Sequence, residues 1–198
     1  MSLPRIGNRM GANEGLPLEY RRCEYLESTG TQYIDTGINL SNESEVRCEY
    51  MATNGEFARN QALYGSFVVP RFSSYGLYVQ GNEYKYYAYI GQDGSSKNFP
   101  VSVGQKNTLV HNSKSITFNG QTKNFTDTTV FEQIIRCSLF ATGSMYGCFR
   151  VYSFSISRNG QLQCNLIPCL DGDDVPCMYD TVSQRALYKV AGDEFLYG

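Results

Sequence analysis

Residues 149–157, Phe-Arg-Val-Tyr-Ser-Phe-Ser-Ile-Ser, have the period-2 pattern of a β-strand. Side chains two apart in a strand share a face. Strict alternation therefore puts Phe149, Val151, Ser153, Ser155 and Ser157 on one side and Arg150, Tyr152, Phe154 and Ile156 on the other. Arg158-Asn159-Gly160 then reverses the chain, because Asn and Gly tolerate the positive φ of a tight hairpin turn. A second strand starts at Gln161 and is expected to stop at Pro168, which lacks the N–H a ladder needs. Such a pair is expected to be the closing hairpin of an antiparallel β-sandwich. It contains no catalytic group, so it constrains the fold more than the activity.

The rest of the chain repeats this grammar. Strands are expected at 21–26, 31–37, 45–51 and 62–69, the third with Val46, Cys48 and Tyr50 on one face. Hairpins are expected from 75–79 with 83–90 and from 107–112 with 115–118. Asn119-Gly120 is a strong two-residue turn signal before a strand near 122–125. One helix is predicted at 127–135, from a capping Asp or Thr and the spacing of Val130, Phe131, Ile134 and Ile135. A further strand at 138–141 precedes the closing hairpin. About a dozen short strands in 198 residues indicate one all-β domain of sandwich or jelly-roll type. The 16 Tyr and 11 Phe supply a core suited to pleated surfaces.

Residues 1–18 read differently, as an extended N-terminal arm preceding a domain at 19–198. Pro4, Gly7, Gly11, Gly15 and Pro17 forbid a long regular element there. Arg5, Ile6, Arg9, Met10 and Leu16 offer charged and apolar anchors for docking on another subunit. No apolar stretch follows the basic residues, so the segment does not read as a signal peptide. No run of about 18 apolar residues exists, so membrane insertion is not expected. A net charge of −2 gives no electrostatic case for nucleic acid as a partner.

The chemistry-bearing residues are few. Seven cysteines, Cys23, Cys48, Cys137, Cys148, Cys164, Cys169 and Cys177, form no CxxC pair. Several fall within strands, where a thiol acts as a small buried hydrophobe, and most are expected to be reduced, as in a cytoplasm. The rival reading is zinc held by Cys164, Cys169 and Cys177, at loose spacing and with the single histidine, His111, remote in sequence. Asp171, Asp173 and Asp174 surround Gly172 in an oxygen-rich loop that is either an ordinary turn or a Ca²⁺ site. Tyrosines crowd 75–89. There Tyr75, Lys85, Tyr87 and Tyr89 are candidates for glycan or protein contact, since sugars stack on aromatic faces and Tyr adds a hydroxyl.

Tyr25-Leu-Glu-Ser-Thr-Gly-Thr-Gln-Tyr-Ile-Asp-Thr-Gly37 is similar to the opening of concanavalin A-like, laminin-G-like jelly-roll domains. Such domains occur in bacteriophage structural proteins and gut bacterial proteins. Leu139-Phe-Ala141, Arg150–Ile156, Leu166–Cys169, Met178-Tyr-Asp180, Ala186-Leu-Tyr188 and Ala191-Gly192 follow in the order the resemblance implies. It covers roughly residues 20–197. Glucanases of this fold carry Glu-x-Asp-x-x-Glu on one strand, because a retaining mechanism needs two carboxyl groups on one face about 5 Å apart. The nearest run here, Glu43, Glu45 and Glu49, lacks the central Asp.

The resemblance therefore implies a non-enzymatic virion protein: a capsid decoration, head-fibre or tail-associated subunit assembled in the bacterial host cytoplasm. Its partners would be other virion proteins, in a homo-oligomer or among capsid or fibre subunits, with host-surface glycans as a second class. The alternative is a carbohydrate-binding adhesin module on a phage tail or bacterial surface. No cofactor is expected beyond the Ca²⁺ the aspartate loop could hold.

Overall fold

A computed structural model describes residues 15–53, 60–68, 73–79, 85–91, 97–126 and 132–198; side chains of 67–68, 73–74, 85–91 and 132–135 are outside the described set. Nineteen strands occur among the described residues. They are β1 (Arg21–Arg22), β2 (Leu26–Thr29), β3 (Ile34–Ser41), β4 (Ser44–Ala52), β5 (Gln61–Val68), β6 (Ser73–Val79), β7 (Lys85–Gly91), β8 (Lys97–Pro100), β9 (Lys106–Asn112) and β10 (Ser115–Phe118). The remainder are β11 (Gln121–Asn124), β12 (Glu132–Leu139), β13 (Ala141–Thr142), β14 (Met145–Tyr146), β15 (Cys148–Arg158), β16 (Gln161–Leu170), β17 (Pro176–Asp180), β18 (Arg185–Leu187) and β19 (Leu196–Tyr197).

These strands make an eleven-stranded and a six-stranded antiparallel sheet, with β13–β14 as a small hairpin. The large sheet runs β11-β10-β9-β4-β15-β16-β17-β18, with β1 on β16, β2 on β15 and β19 on β2. The smaller runs β3-β12-β5-β6-β7-β8. The sheets pack face to face through one apolar core. Val46, Tyr50, Leu109 and Phe154 come from the large sheet; Leu63, Tyr64, Tyr75 and Leu77 come from the small one. Tyr64 lies edge-on to Phe154 across the gap, with ring centroids 5.7 Å apart.

Several expectations meet the structure directly. Val46, Cys48 and Tyr50 of β4 are all buried. Phe118 pairs with Gln121 and Arg158 with Gln161, so both Asn-Gly dipeptides make two-residue hairpin loops. Their φ values, 46° and 80° at Asn119-Gly120 and 50° and 77° at Asn159-Gly160, are the double positive pair that a type I′ turn requires. β6 pairs with β7, and β9 with β10, as expected for hairpins.

Four expectations are corrected. The strand at 21–26 is two strands, β1 and β2, separated at Cys23–Tyr25. The alternation of β15 breaks at Tyr152. Val151 pairs with Tyr50 and Ser153 with Glu49, leaving Tyr152 as an extra residue. A one-residue bulge moves the buried set to the opposite parity. The core residues are therefore Phe149 and Val151 before it, and Phe154 and Ile156 after it.

β16 passes Pro168 and ends at Leu170. The Pro168 carbonyl accepts the Cys23 N–H, so the ring nitrogen faces the same side, between the end of the β15 ladder and the start of β1. Finally, 132–135 of the predicted helix lie in β12, and 127–131 are outside the described residues. No helix occurs among the described residues. Ile134 and Ile135 suit a strand as well as a helix, and pairing of β12 with β3 and β5 decides between them.

Candidate functional site

The motif Glu27–Gly37 builds a corner, then one wall of a groove. Gln32 is fully buried and clamps the corner. Its Oε1 accepts from Ser28 Oγ at 3.0 Å and Thr29 N at 2.9 Å. Its Nε2 donates to Thr29 Oγ1 at 3.0 Å and to the Glu194 carbonyl at 3.2 Å. That last bond ties the corner to the C-terminal segment, where β19 pairs with β2. Asp35 then accepts the Gly37 N–H at 2.8 Å, and Gly37 takes φ +77°. The turned chain at 37–39 faces Arg136, Arg158 and Gln163, which come from β12, β15 and β16.

Together Gly37, Ile38, Asn39, Arg136, Arg158 and Gln163 line an open groove of about 370 Å³ at the edge where the two sheets meet. Register irregularities lie on both sides of Arg136 in its ladder with β3. Bulges of this kind re-aim a side chain. Arg136 Nη1 lies 3.2 Å from Asp35 Oδ2. Arg158 Nη2 donates to the Asn39 carbonyl at 2.8 Å, while its buried Nε has no hydrogen-bond partner. A third guanidinium lies near Gly37: a Cβ there would stand 3.1 Å from Arg185 Nη2. The lining combines two guanidinium forks with Asn and Gln amides and has no carboxylate, thiol or imidazole of its own. Such a set can hydrogen-bond carboxylate, phosphate or hydroxyl oxygens.

The residues singled out by sequence do not gather in this groove. Arg5, Ile6, Arg9 and Met10 lie outside the described residues. Leu16 is half-buried. It packs, with Tyr20 and Ala186, on Cys169, Cys177 and Tyr179 of its own domain. Tyr75 is corrected as a contact residue: it is fully buried, and its hydroxyl donates to the carbonyls of His111 at 2.7 Å and Ser44 at 3.0 Å. Tyr87 and Tyr89 lie on β7, as does Lys85; their side chains are outside the described residues.

The aspartate loop is a turn held by its own carboxylates. Asp171 Oδ1 accepts the N–H groups of Asp173 and Val175, both at 2.9 Å, and Oδ2 accepts the Tyr188 hydroxyl at 2.7 Å. That hydroxyl bond is the largest cause holding the Asp171 carboxyl below its usual pKa. Asp174 pairs instead with Arg21 at 2.7 Å. Among the described residues no group of three or more His, Cys, Asp or Glu is placed to hold a metal ion. The zinc alternative fails on geometry too. Cys164 faces the inter-sheet core, while Cys169 and Cys177 belong to a separate apolar cluster.

His111 is a core residue. Its Nδ1 is hydrogen-bonded to the Tyr64 hydroxyl, and its buried Nε2 has no hydrogen-bond partner. Burial drives its pKa down to about 3, so the ring is neutral at pH 7.

No protein-family model matches the chain, and no curated protein sequence matches it. Among solved structures the chain is similar to Trypanosoma rangeli sialidase in complex with sialic acid. That likeness has a TM-score of 0.46 and 11% identity, and covers 73% of this chain and 28% of that one.

Proposed function

We propose that this chain is a non-enzymatic, lectin-like display domain of a bacteriophage particle, with a concanavalin A-like jelly-roll fold. The observation that carries the binding role is the groove of Asn39, Arg136, Arg158 and Gln163, which is rich in hydrogen-bond donors. The particle context rests on the ordered sequence signatures, several of which have structural work of their own. Gln32 locks the opening corner. Asp180 accepts the Asn165 N–H at 2.8 Å and the Ser183 hydroxyl at 2.6 Å, joining the Met-Tyr-Asp strand to its neighbour and to the next turn.

The arm separates anchoring from folding. Residues 15–20 cover the domain's own outer face, whereas deletion of residues 2–14 leaves that cover in place. The truncated domain is expected to fold but to be lost from purified particles, measured by mass spectrometry of gradient-banded virions. Unchanged incorporation removes the anchoring role.

The groove itself favours the second reading, a carbohydrate-binding module, because planar amides and guanidinium groups match sugar hydroxyls and acidic substituents. A glycan array is expected to give binding that Arg158→Ala and Gln163→Ala each weaken by about tenfold, roughly one lost charge-assisted hydrogen bond. Binding unaffected by either change moves the site elsewhere.

A further inference from the structure

Cys169 and Cys177 stand directly opposite one another on β16 and β17. Opposed residues in an antiparallel ladder have Cα atoms about 4.5–5.5 Å apart, inside the roughly 4.4–6.8 Å that a disulfide spans. Their Sγ atoms are already 3.4 Å apart. All seven cysteines are free thiols, and these two are in direct contact. The pair lies on the outer face of the large sheet, away from the inter-sheet core. The partly buried hydrophobic side chains packed on it are Leu16 and Tyr20 from the N-terminal side, plus Ala186.

We propose that Cys169 and Cys177 are a reversible dithiol–disulfide site, closed by exchange with a low-molecular-weight disulfide once residues 15–20 lift. One thiolate attacks a sulfur of the disulfide RSSR, forming a mixed disulfide and releasing one RS⁻. The second thiolate attacks the protein sulfur of that bond and expels another RS⁻. Two cysteine thiols are oxidised, one RSSR is reduced to two RSH, and the two thiol protons pass to the two RS⁻ groups.

The Sγ contact leaves the donor open, and Cys169 Sγ also lies 3.6 Å from the Cys177 carbonyl. A hydrogen bond with Cys177 lowers the Cys169 pKa most, and the Tyr179 N–H adds to this against the cost of burial. Cys177 is raised, first by that same hydrogen bond and then by burial. Either thiol can open the exchange, and the other then resolves the mixed disulfide. The bond formed would tie together the two strands that flank the Asp171–Val175 turn.

Access is the controlling step, since both thiols are fully buried. The cover opens as a local event, independent of the sheets beneath it. Leu16→Ala removes one of its packed side chains and is expected to speed exchange about tenfold. An unchanged rate overturns the cover as the gate.

The test uses the whole chain, reduced, then incubated natively with glutathione disulfide and quenched with an alkylating reagent. Cleavage before Asp171 separates Cys169 from Cys177, which no Lys or Arg does. The expected product is a linked pair of peptides about 2 Da below the sum of the two reduced ones, formed equally in Cys23→Ser. In Cys177→Ala the glutathione is expected to remain on Cys169. Full alkylation of both thiols in the native wild type overturns the proposal. So does a bond from either to Cys23, which stands beside Cys169. The wild-type peptide map holds whether or not the variants fold.

Discussion

Two apolar clusters in this domain are equally buried and unequally protected. The inner one lies between the sheets, where Tyr64, Tyr75, Phe154 and His111 interlock from opposite faces. The outer one, Cys169, Cys177 and Tyr179, is shielded by Leu16, Tyr20 and Ala186. Exposure of the inner cluster requires the sheets to part, which is unfolding. Exposure of the outer one requires only that a short segment lift. Solvent accessibility alone hides this difference; the origin of the covering atoms reveals it. In this domain, reactivity belongs to the buried site with the thinner cover.

The largest break in that comparison comes from the inner side. Phe154→Ala empties a fully enclosed site that packs edge-on against Tyr64. It is expected to cost about 3–5 kcal/mol, read as a lower midpoint in urea with an unchanged slope. A loss under 1 kcal/mol would mean that the two sheets are not packed as described.

The next effect is a pH dependence of the same core. His111 faces Tyr64, Tyr75 and Phe125, and both tyrosines are pushed well above their usual pKa by burial, so none of these groups offers it a counter-charge. Its folded pKa, about 3, lies below the unfolded value near 6.5. The unfolded chain therefore binds the proton first as pH falls. Stability attributable to His111 is complete above pH 6.5, declines as pH drops below it, and levels off near 3. The slope is about 1.4 kcal/mol per pH unit in that window. Urea unfolding at pH 7 and pH 4 is expected to differ by about 3 kcal/mol more than in His111→Gln. An equal pH response in the two proteins would place a compensating charge beside the ring.

Local turn chemistry was the most legible part of this chain. Asn119-Gly120 and Asn159-Gly160 needed no tertiary information, because a two-residue loop with paired positive φ is specified by the dipeptide itself. The faces of β15 were legible only in halves. Nothing in Phe149–Ser157 marks Tyr152 as the residue that bulges, since that choice is made by the ladder with β4. The helix expectation fails over 132–135 for a related reason. Ile134 and Ile135 fit both periodicities at that length, and partners more than ninety residues earlier in β3 decide in favour of a strand. The groove was not legible, because β3, β12, β15 and β16 bring its residues together from positions 37 to 163. One part of it lies in the motif Tyr25–Gly37: Asp35-Thr-Gly37 is the turn that shapes its wall. The Cys169–Cys177 pairing was similarly hidden. Cysteines eight positions apart do not read as a cross-strand pair until Asp171–Val175 is seen to fold the chain back on itself.

The smallest expected effect sharpens the comparison most. Tyr20 stacks on Tyr179 with ring centroids 4.9 Å apart, at the same outer cluster that Leu16 covers. Tyr20→Ala is expected to lower global stability by only about 1 kcal/mol, since it removes one aromatic pair from a surface-side contact. Its local consequence is larger. Amide exchange at Cys177 and Tyr179 is expected to accelerate about tenfold, while Tyr50 and Phe154 of the inner ladders exchange as before once corrected for the global change. Uniform acceleration across both clusters would show that they open together. The outer cysteines would then be guarded by the fold as a whole, and the contrast between the two clusters would disappear.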